Sequence, residues 1–276
     1  MTLNDWIKFA TTTLSAASIQ TANLDIIILL EDEIGKDRSW ILAHPEKQLS
    51  KVNVGNLKNV LNRRAMHEPL AYIRGTCEFY GRSFNITHDV LQPRPESETF
   101  ITLLATILDA RKNVYKLPAQ PCIADVGAGS GAIGTTIALE YPETHVEMLE
   151  IDPKAAKVAK SNVDLFTLKI PVILSDLLIN ASENIDILVC NLPYVPDTFH
   201  INKAASQEPK LAIFGGHDGL DVYRRLFNQI KMRSYKPLLI LTESLPPQHS
   251  DLNKIASICG YSLKKTDDFV QVFARR

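Results

Sequence analysis

The sequence predicts an α/β fold, a parallel sheet covered by helices on both faces, preceded by a small helical domain. Three observations carry this. Beyond residue 121, short runs of apolar residues alternate with stretches of helical periodicity, and strands apolar on both faces belong to buried parallel sheets. Residues 1–75 show helical spacing and no strand pattern. Between these regions "CEFYGRSFNITHDVLQPRPE" flanks a turn at Gly81-Arg82 with Phe79, Phe84 and Ile86, and ends at prolines 93 and 95, as a β-hairpin linker would.

The element order follows from the same spacing. Apolar residues recur at helical intervals over 3–17 and 22–34, with Gly35 at a C-cap position. "SWILAHPE" is a short helix stopped by Pro45, and 50–66 is a further helix. A helix at about 96–111 leads into strand 122–127, helix 131–140, strand 145–151, helix 153–163 and strand 172–175. Strand 186–191, helix 218–231, strand 237–243, helix 247–258 and two closing strands around 262–274 complete the chain. The expected organisation is a helical recognition domain over 1–75, a hairpin linker over 76–93 and a catalytic domain over 94–276.

Composition narrows the function classes. Thirty basic and 31 acidic side chains give a net charge of −1, without the broad positive field of a non-specific nucleic-acid binder, so no stable nucleic-acid binding is expected. The four cysteines and seven histidines are scattered, so no metal site and no disulfide framework is expected. The longest aliphatic runs fall well short of the roughly 20 residues of a spanning helix. A cytoplasmic monomer is the expectation.

Candidate chemistry gathers at the C-terminal ends of the strands. "ADVGAGSGAIG" places Gly127, Gly129, Gly131 and Gly134 between the first sheet strand and the next helix, where glycines permit a tight turn and close approach of a ligand. Glu150, nineteen positions after Gly131, ends the next strand, where a carboxylate accepts from ribose hydroxyls. Asp176, after the third strand, is placed to accept from an adenine amino group, with Leu177 beside the ring. An adenosine-containing cofactor is implied.

The fourth strand ends in "NLPY", Asn191 to Tyr194. Pro193 biases Leu192 toward an extended conformation, which aims the Leu192 carbonyl outward beside the Asn191 side-chain carbonyl. Two acceptors hold the two hydrogens of an –NH2 group, and Tyr194 supplies a flat face. An amide nitrogen is a poor nucleophile because its lone pair is delocalised, so fixing its hydrogens can direct that lone pair at an electrophile. The methyl group of S-adenosylmethionine is such an electrophile.

With these residues in view, the chain resembles the HemK-like family, the release factor glutamine N5-methyltransferases, over nearly its whole length. "DVGAGSGAIG" is similar to that family's cofactor loop, Glu150 to its ribose acid, "SDL" to its adenine-side turn and "NLPY" to its N-P-P-Y motif, with Leu192 in place of the first proline. "WILAHPE", "EPLAYIRGTCEFYGRSF", "LQPRPESE" and "EPKLAIFGGHDGLDVYRR" also resemble family segments in the same order. The resemblance implies a Rossmann-like, S-adenosylmethionine-dependent methyltransferase sheet. It implies cofactor binding by Asp125, Gly127, Ala128, Gly129, Ser130, Gly131, Glu150, Asp176, Leu177 and Asn191. Substrate binding and catalysis would fall to Asn191, Leu192, Pro193 and Tyr194, and the substrate would be the glutamine of a Gly-Gly-Gln loop in a class-1 release factor.

NLPY is also similar to the motif of ribosomal RNA adenine dimethylases, so an N6-adenine methyltransferase acting on RNA or DNA is an alternative. A catalytically silent binding protein on the same fold is another. "PRPE" reads either as a stiff linker or as a segment shaping the crevice through Arg94 and Glu96, and Asp218 as an N-cap.

Overall fold

The computed structural model describes residues 1–109 and 114–276. They form two compact units, one of Met1–Thr76 with Ile201–Gln207 and the other of Cys77–His200 with Glu208–Arg276.

The smaller unit is helical, built from α1 (Leu3–Ala16), α2 (Ala22–Ile34), α3 (Arg38–Ala43), α4 (Lys51–Ala65) and α5 (Leu70–Arg74). Capping sets its boundaries. Thr2 and Asp5 close a capping box at the start of α1, Ser50 and Asn53 do the same for α4, and Gly35 ends α2 in the left-handed conformation at φ 66°. Leu3, Trp6, Ala10 and Leu14 of α1 pack with Ile26 and Leu30 of α2 and Leu57 and Leu61 of α4. Each such large aliphatic residue stabilises the unit by about 1.5–3 kcal/mol. Arg64 is paired with the buried Asp25 at 2.7 Å, so this core carries one well-compensated charge pair. The five-residue α5 was not anticipated, since a single turn carries too little periodicity to be read.

β1 (Thr76–Phe79) and β2 (Arg82–Asn85) form a two-stranded sheet. A 3₁₀ turn over Pro95–Glu98 then leads into α6 (Thr99–Leu108), so the expected helix at 96–111 begins later and more tightly wound, while its positions 110 and 111 lie outside the described residues. The remaining elements are β3 (Cys122–Val126), α7 (Ala132–Glu140), β4 (His145–Glu150), α8 (Pro153–Leu165), β5 (Val172–Leu174), β6 (Ile187–Cys190), α9 (Lys210–Ile213), α10 (Asp221–Met232), β7 (Leu239–Glu243), α11 (His249–Ile258), β8 (Tyr261–Asp267) and β9 (Val270–Arg275).

The seven strands are ordered β5-β4-β3-β6-β7-β9-β8. The first five run parallel and β9 is antiparallel to both neighbours. Successive residues of β6 enter opposite cores: Ile187 and Val189 pack with Phe100, Met148 and Leu241, while Leu188 and Cys190 pack with Tyr223, Phe227 and Phe273. Apolar residues at every position therefore produce a strand buried on both faces. The chain runs outward from β3 through β4 and β5, then returns to place β6 on the other side of β3. That reversal opens a crevice outside the C-terminal ends of β3 and β6, where ligands bind in sheets of this kind. Among the described residues no helix is long and apolar enough to cross a membrane.

Candidate active site

A crevice of about 1180 Å³, open to solvent, lies at this reversal and is lined only by residues of the larger unit. The loop after β3 forms its floor, the ends of β4, β5 and β6 form its walls, and residues 89–94 and 209–214 frame its mouth. Gly127, Ala128, Gly129, Ser130, Glu150, Asp176, Leu177, Asn191, Leu192 and Pro193 all line it. Asp125, Gly131 and Tyr194 are not among the lining residues.

The glycine-loop N–H groups decide which cofactor this crevice suits. Gly127 and Ala128 donate to the Leu149 carbonyl at 2.8 and 3.1 Å, and Gly131 to the Ala128 carbonyl at 2.7 Å. Gly129 donates to Glu150 Oε2 at 2.7 Å and Gly134 to Asp125 Oδ2 at 2.8 Å. A dinucleotide cofactor needs such N–H groups free for its pyrophosphate. Here they are spent within the protein, which suits a nucleoside carrying no phosphate. Asp125 thus ties the start of α7 to β3 from behind the loop. Burial pushes its carboxyl up to about 7, with the Gly134 N–H opposing and the Glu150 charge adding to the rise.

Glu150 is 7% exposed and its Oε1 also accepts from the Ile151 and Asp152 N–H groups, at 2.8 and 2.9 Å. Three main-chain donors hold a carboxylate that has about four acceptor sites, leaving capacity toward a ribose hydroxyl. Asp176 receives Arg225 Nη2 on both oxygens, one of them at 2.6 Å. One turn further along α10, Gln229 donates to the Asp176 carbonyl at 3.2 Å and accepts from the Leu178 N–H at 2.7 Å. Arg225 and Gln229, four residues apart on one helix face, therefore grip the turn that presents Asp176 and Leu177. Leu177 sits there at φ 54° with its carbonyl bound by Ser175 Oγ at 2.8 Å. Acidic acceptors for hydroxyl and amino groups, with Leu149, Ile151 and Leu177 as apolar walls, fit the adenosine end of S-adenosylmethionine.

The NLPY segment is held at four points. Asn191 Nδ2 donates to Ser97 Oγ at 2.8 Å, and Ser97 Oγ donates to Glu243 Oε2 at 2.7 Å. The Tyr194 hydroxyl donates to Glu243 Oε1 at 3.0 Å. Buried Tyr223 donates to the Glu243 carbonyl at 2.6 Å, has the Cys190 carbonyl at 3.0 Å, and receives the Leu192 N–H at 3.5 Å. Gln248 Nε2 donates to the carbonyls of Tyr194 and Asp218, at 2.7 and 2.8 Å. Gly219, at φ 80°, comes so close that a Cβ there would stand 2.1 Å from the Tyr194 carbonyl oxygen. Burial raises the Glu243 carboxyl while the Ser97 and Tyr194 hydroxyls oppose the rise, and burial beside Glu243 pushes the Tyr194 phenol far up.

Ser97, Glu243, Tyr223, Gln248, Arg225 and Gln229 were not anticipated from sequence. Glu243 carried a signal, because it ends a strand on the crevice side as Glu150 and Asn191 do. The PRPE segment places Arg94 in the crevice wall, paired with the nearly buried Glu208 at 2.5 Å. Asp218 accepts from Arg224 and from the Leu220 N–H at 3.1 Å, and so closes the loop before α10.

The fold and this crevice define a Rossmann-like, S-adenosylmethionine-dependent methyltransferase. Residues 5–75 match the family model described as the PrmC N-terminal domain, and residues 102–208 match the Methyltransferase small domain. The chain is 33% identical over 236 residues to the release factor glutamine methyltransferase of Koribacter versatilis (strain Ellin345), covering 83% of this chain and 81% of that one. It is 30% identical over 237 residues to the protein of that name from Bacillus subtilis (strain 168), covering 84% and 81%. A methyltransferase structure from Pyrococcus furiosus superposes with a TM-score of 0.51 at 15% identity, over 77% of this chain and 96% of that one, a likeness of fold alone. The chain belongs to the release factor glutamine methyltransferase family.

Proposed function

We propose that this enzyme transfers a methyl group from S-adenosylmethionine to the side-chain amide nitrogen, N5, of the glutamine in the Gly-Gly-Gln motif of class-1 peptide chain release factors. The observation that carries the reading is the orientation of Asn191. Its Nδ2 is committed to Ser97, and its Oδ1 takes no hydrogen bond from the described residues. That leaves an acceptor in the crevice wall for one hydrogen of a substrate amide, and the Leu192 carbonyl takes the other.

The bound cofactor supplies an electrophilic methyl on a sulfonium sulfur. Asn191 and Leu192 hold both amide hydrogens, so the nitrogen lone pair is turned toward the reacting carbon rather than tumbling. As the N–C bond forms at the expense of the S–CH3 bond, whose electron pair would leave with sulfur as the neutral thioether S-adenosylhomocysteine, positive charge develops on the nitrogen, and both acceptors bind its hydrogens more strongly than before. The surplus proton on the alkylated amide is strongly acidic and leaves to solvent. Gly127, Ala128, Gly129, Ser130, Glu150, Asp176 and Leu177 hold the adenosine end, with Asp125 and Gly131 shaping the loop behind them. Pro193 and Tyr194 complete the substrate wall.

In this reading residues 1–75 recognise the release factor, 76–93 connect, and 94–276 catalyse, in a cytoplasmic monomer. The test offers labelled S-adenosylmethionine, a purified class-1 release factor and ribosomal RNA in one reaction. Label entering the release factor is expected. Label confined to RNA would replace this reading with the adenine one.

A further inference from the structure

From the geometry around β6 and β7 we infer that Ser97 and Glu243 are positioning residues that set the direction of the Asn191 amide, so that an oxygen, not an –NH2 group, meets the substrate. This rests on the glutamine methyltransferase reading of the same crevice.

The arrangement begins with strand register. β6 and β7 are parallel neighbours with Cys190 opposite Thr242, so Asn191 and Glu243 follow side by side at the C-terminal edge. Ser97 reaches them from the 3₁₀ turn at Pro95–Glu98, whose Ser97 N–H is fixed by the Arg94 carbonyl at 3.0 Å. Ser97 is wholly buried and Glu243 is 1% exposed, so water does not relax the polarity of their contacts.

Proton accounting then fixes the amide. The hydroxyls of Ser97 and Tyr194 both donate to Glu243, at 2.7 and 3.0 Å, and so spend their protons on it. Ser97 Oγ is left with lone pairs alone. The Asn191 atom 2.8 Å away must therefore be the amide nitrogen, and the opposite end of the same planar group is the oxygen. Rotating the amide by half a turn would set its oxygen against the Ser97 lone pairs, in a buried site with no compensating donor. It would also set –NH2 against the –NH2 of the substrate. A serine in the PRPES segment and a glutamate 146 residues later thus set the Asn191 amide, the serine through that amide alone and the glutamate while also holding the Tyr194 hydroxyl.

The test compares wild type, Ser97→Ala, Glu243→Gln, Asn191→Ala and the doubles Ser97→Ala/Asn191→Ala and Glu243→Gln/Asn191→Ala. Methyl transfer to a release factor and S-adenosylmethionine affinity by calorimetry are measured for each. Ser97→Ala is expected to lower kcat by about ten- to a hundred-fold, the scale of a misdirected reacting group, with cofactor affinity held within about three-fold. A general structural role would multiply with the Asn191 effect, whereas action through Asn191 would not. The Ser97→Ala/Asn191→Ala double should therefore transfer within about two-fold of Asn191→Ala alone, and the Glu243→Gln/Asn191→Ala double should lose clearly less than the product of its two single effects, the remainder reflecting the Glu243 bond to Tyr194. Should Ser97→Ala fail to fold, Glu243→Gln carries the comparison, since its amide can donate to Ser97 and release the constraint. Single variants that turn over like wild type, or doubles whose losses multiply in full, would overturn the assignment. A wild type without activity on release factors would instead count against the underlying function.

Discussion

A Cβ placed on Gly127 would stand 2.8 Å from Leu192 Cδ2, so the glycine loop and the NLPY loop meet where an added methyl must displace the buried Leu192 side chain. Gly127 also has φ 76°, a conformation costing side-chain-bearing residues roughly 1–2 kcal/mol. Gly127→Ala is therefore expected to lower the melting temperature and to slow methyl transfer. Adding Leu192→Ala should recover only the part due to contact, because the backbone strain remains. An unchanged melting temperature in Gly127→Ala would contradict this packing.

Glu150 accepts from the Gly129 N–H of the same loop, and in the proposed reading it also holds the cofactor ribose. Glu150→Ala is expected to lose about 1.5–3 kcal/mol of S-adenosylmethionine affinity, the usual worth of hydrogen bonds to a charged group. That is roughly ten- to a hundred-fold in dissociation constant. The variant also releases the Gly129, Ile151 and Asp152 N–H groups, so its fold must be checked by circular dichroism before calorimetry. Unaltered affinity in a folded Glu150→Ala protein would remove the ribose assignment.

The strand ends were the legible part of this site. Glu150 and NLPY could be placed because an apolar run ending in a polar residue marks where a buried strand emerges, and Gly35 because a helix needs a left-handed cap. The carboxylate of Asp125 is a different matter: its position in the glycine motif resembles cofactor-binding acids, yet it is buried beneath the loop. Ser97, Tyr223 and Gln248 were illegible as a group, since their roles exist only through contacts between segments distant in sequence, whereas Glu243 shared the strand-end signal of Glu150. The four-residue α9 escaped for a simpler reason, since barely one helical turn leaves no repeat of the apolar spacing to read.

Asp125 gives the protein a pH signature. Its carboxyl titrates at about 7 when folded and at the usual 3.8 when not, so between these values the native state binds a proton that the unfolded chain lacks. Stability from this group is full below about pH 4 and is lost as pH rises through 7, with a slope of up to about 1.4 kcal/mol per pH unit. Asp125→Asn keeps an acceptor for the Gly134 N–H and removes the charge. The melting temperature of Asp125→Asn relative to wild type should therefore rise from pH 5 to about pH 7 and level off by pH 8. Parallel curves over that range would show that Asp125 does not titrate there.

Leu192 stands where the resembling family has proline. Its side chain is 3% exposed, and its N–H reaches the Tyr223 hydroxyl only at 3.5 Å, a weak bond. Leu192→Pro gains about 0.4–1 kcal/mol from a stiffer unfolded chain if its φ suits proline, and loses buried methylene packing at about 0.8 kcal/mol per group. Thermal melts should show near-neutral or slightly reduced stability, with glutamine methylation kept within a few-fold because the carbonyl survives. A folded Leu192→Pro enzyme inactive on release factors would show that the leucine side chain itself is required.

The central claim is that Asn191 directs a glutamine amide at the methyl donor. Its most direct test locates the methyl group by tandem mass spectrometry on a class-1 release factor incubated with S-adenosylmethionine and either wild-type enzyme or Asn191→Ala. The account predicts one added methyl on the glutamine of the Gly-Gly-Gln motif with wild type. It predicts at least a roughly hundred-fold slower appearance with Asn191→Ala, which should still bind the cofactor within several-fold. Methylation at another residue, or Asn191→Ala turnover within about ten-fold of wild type, would contradict it.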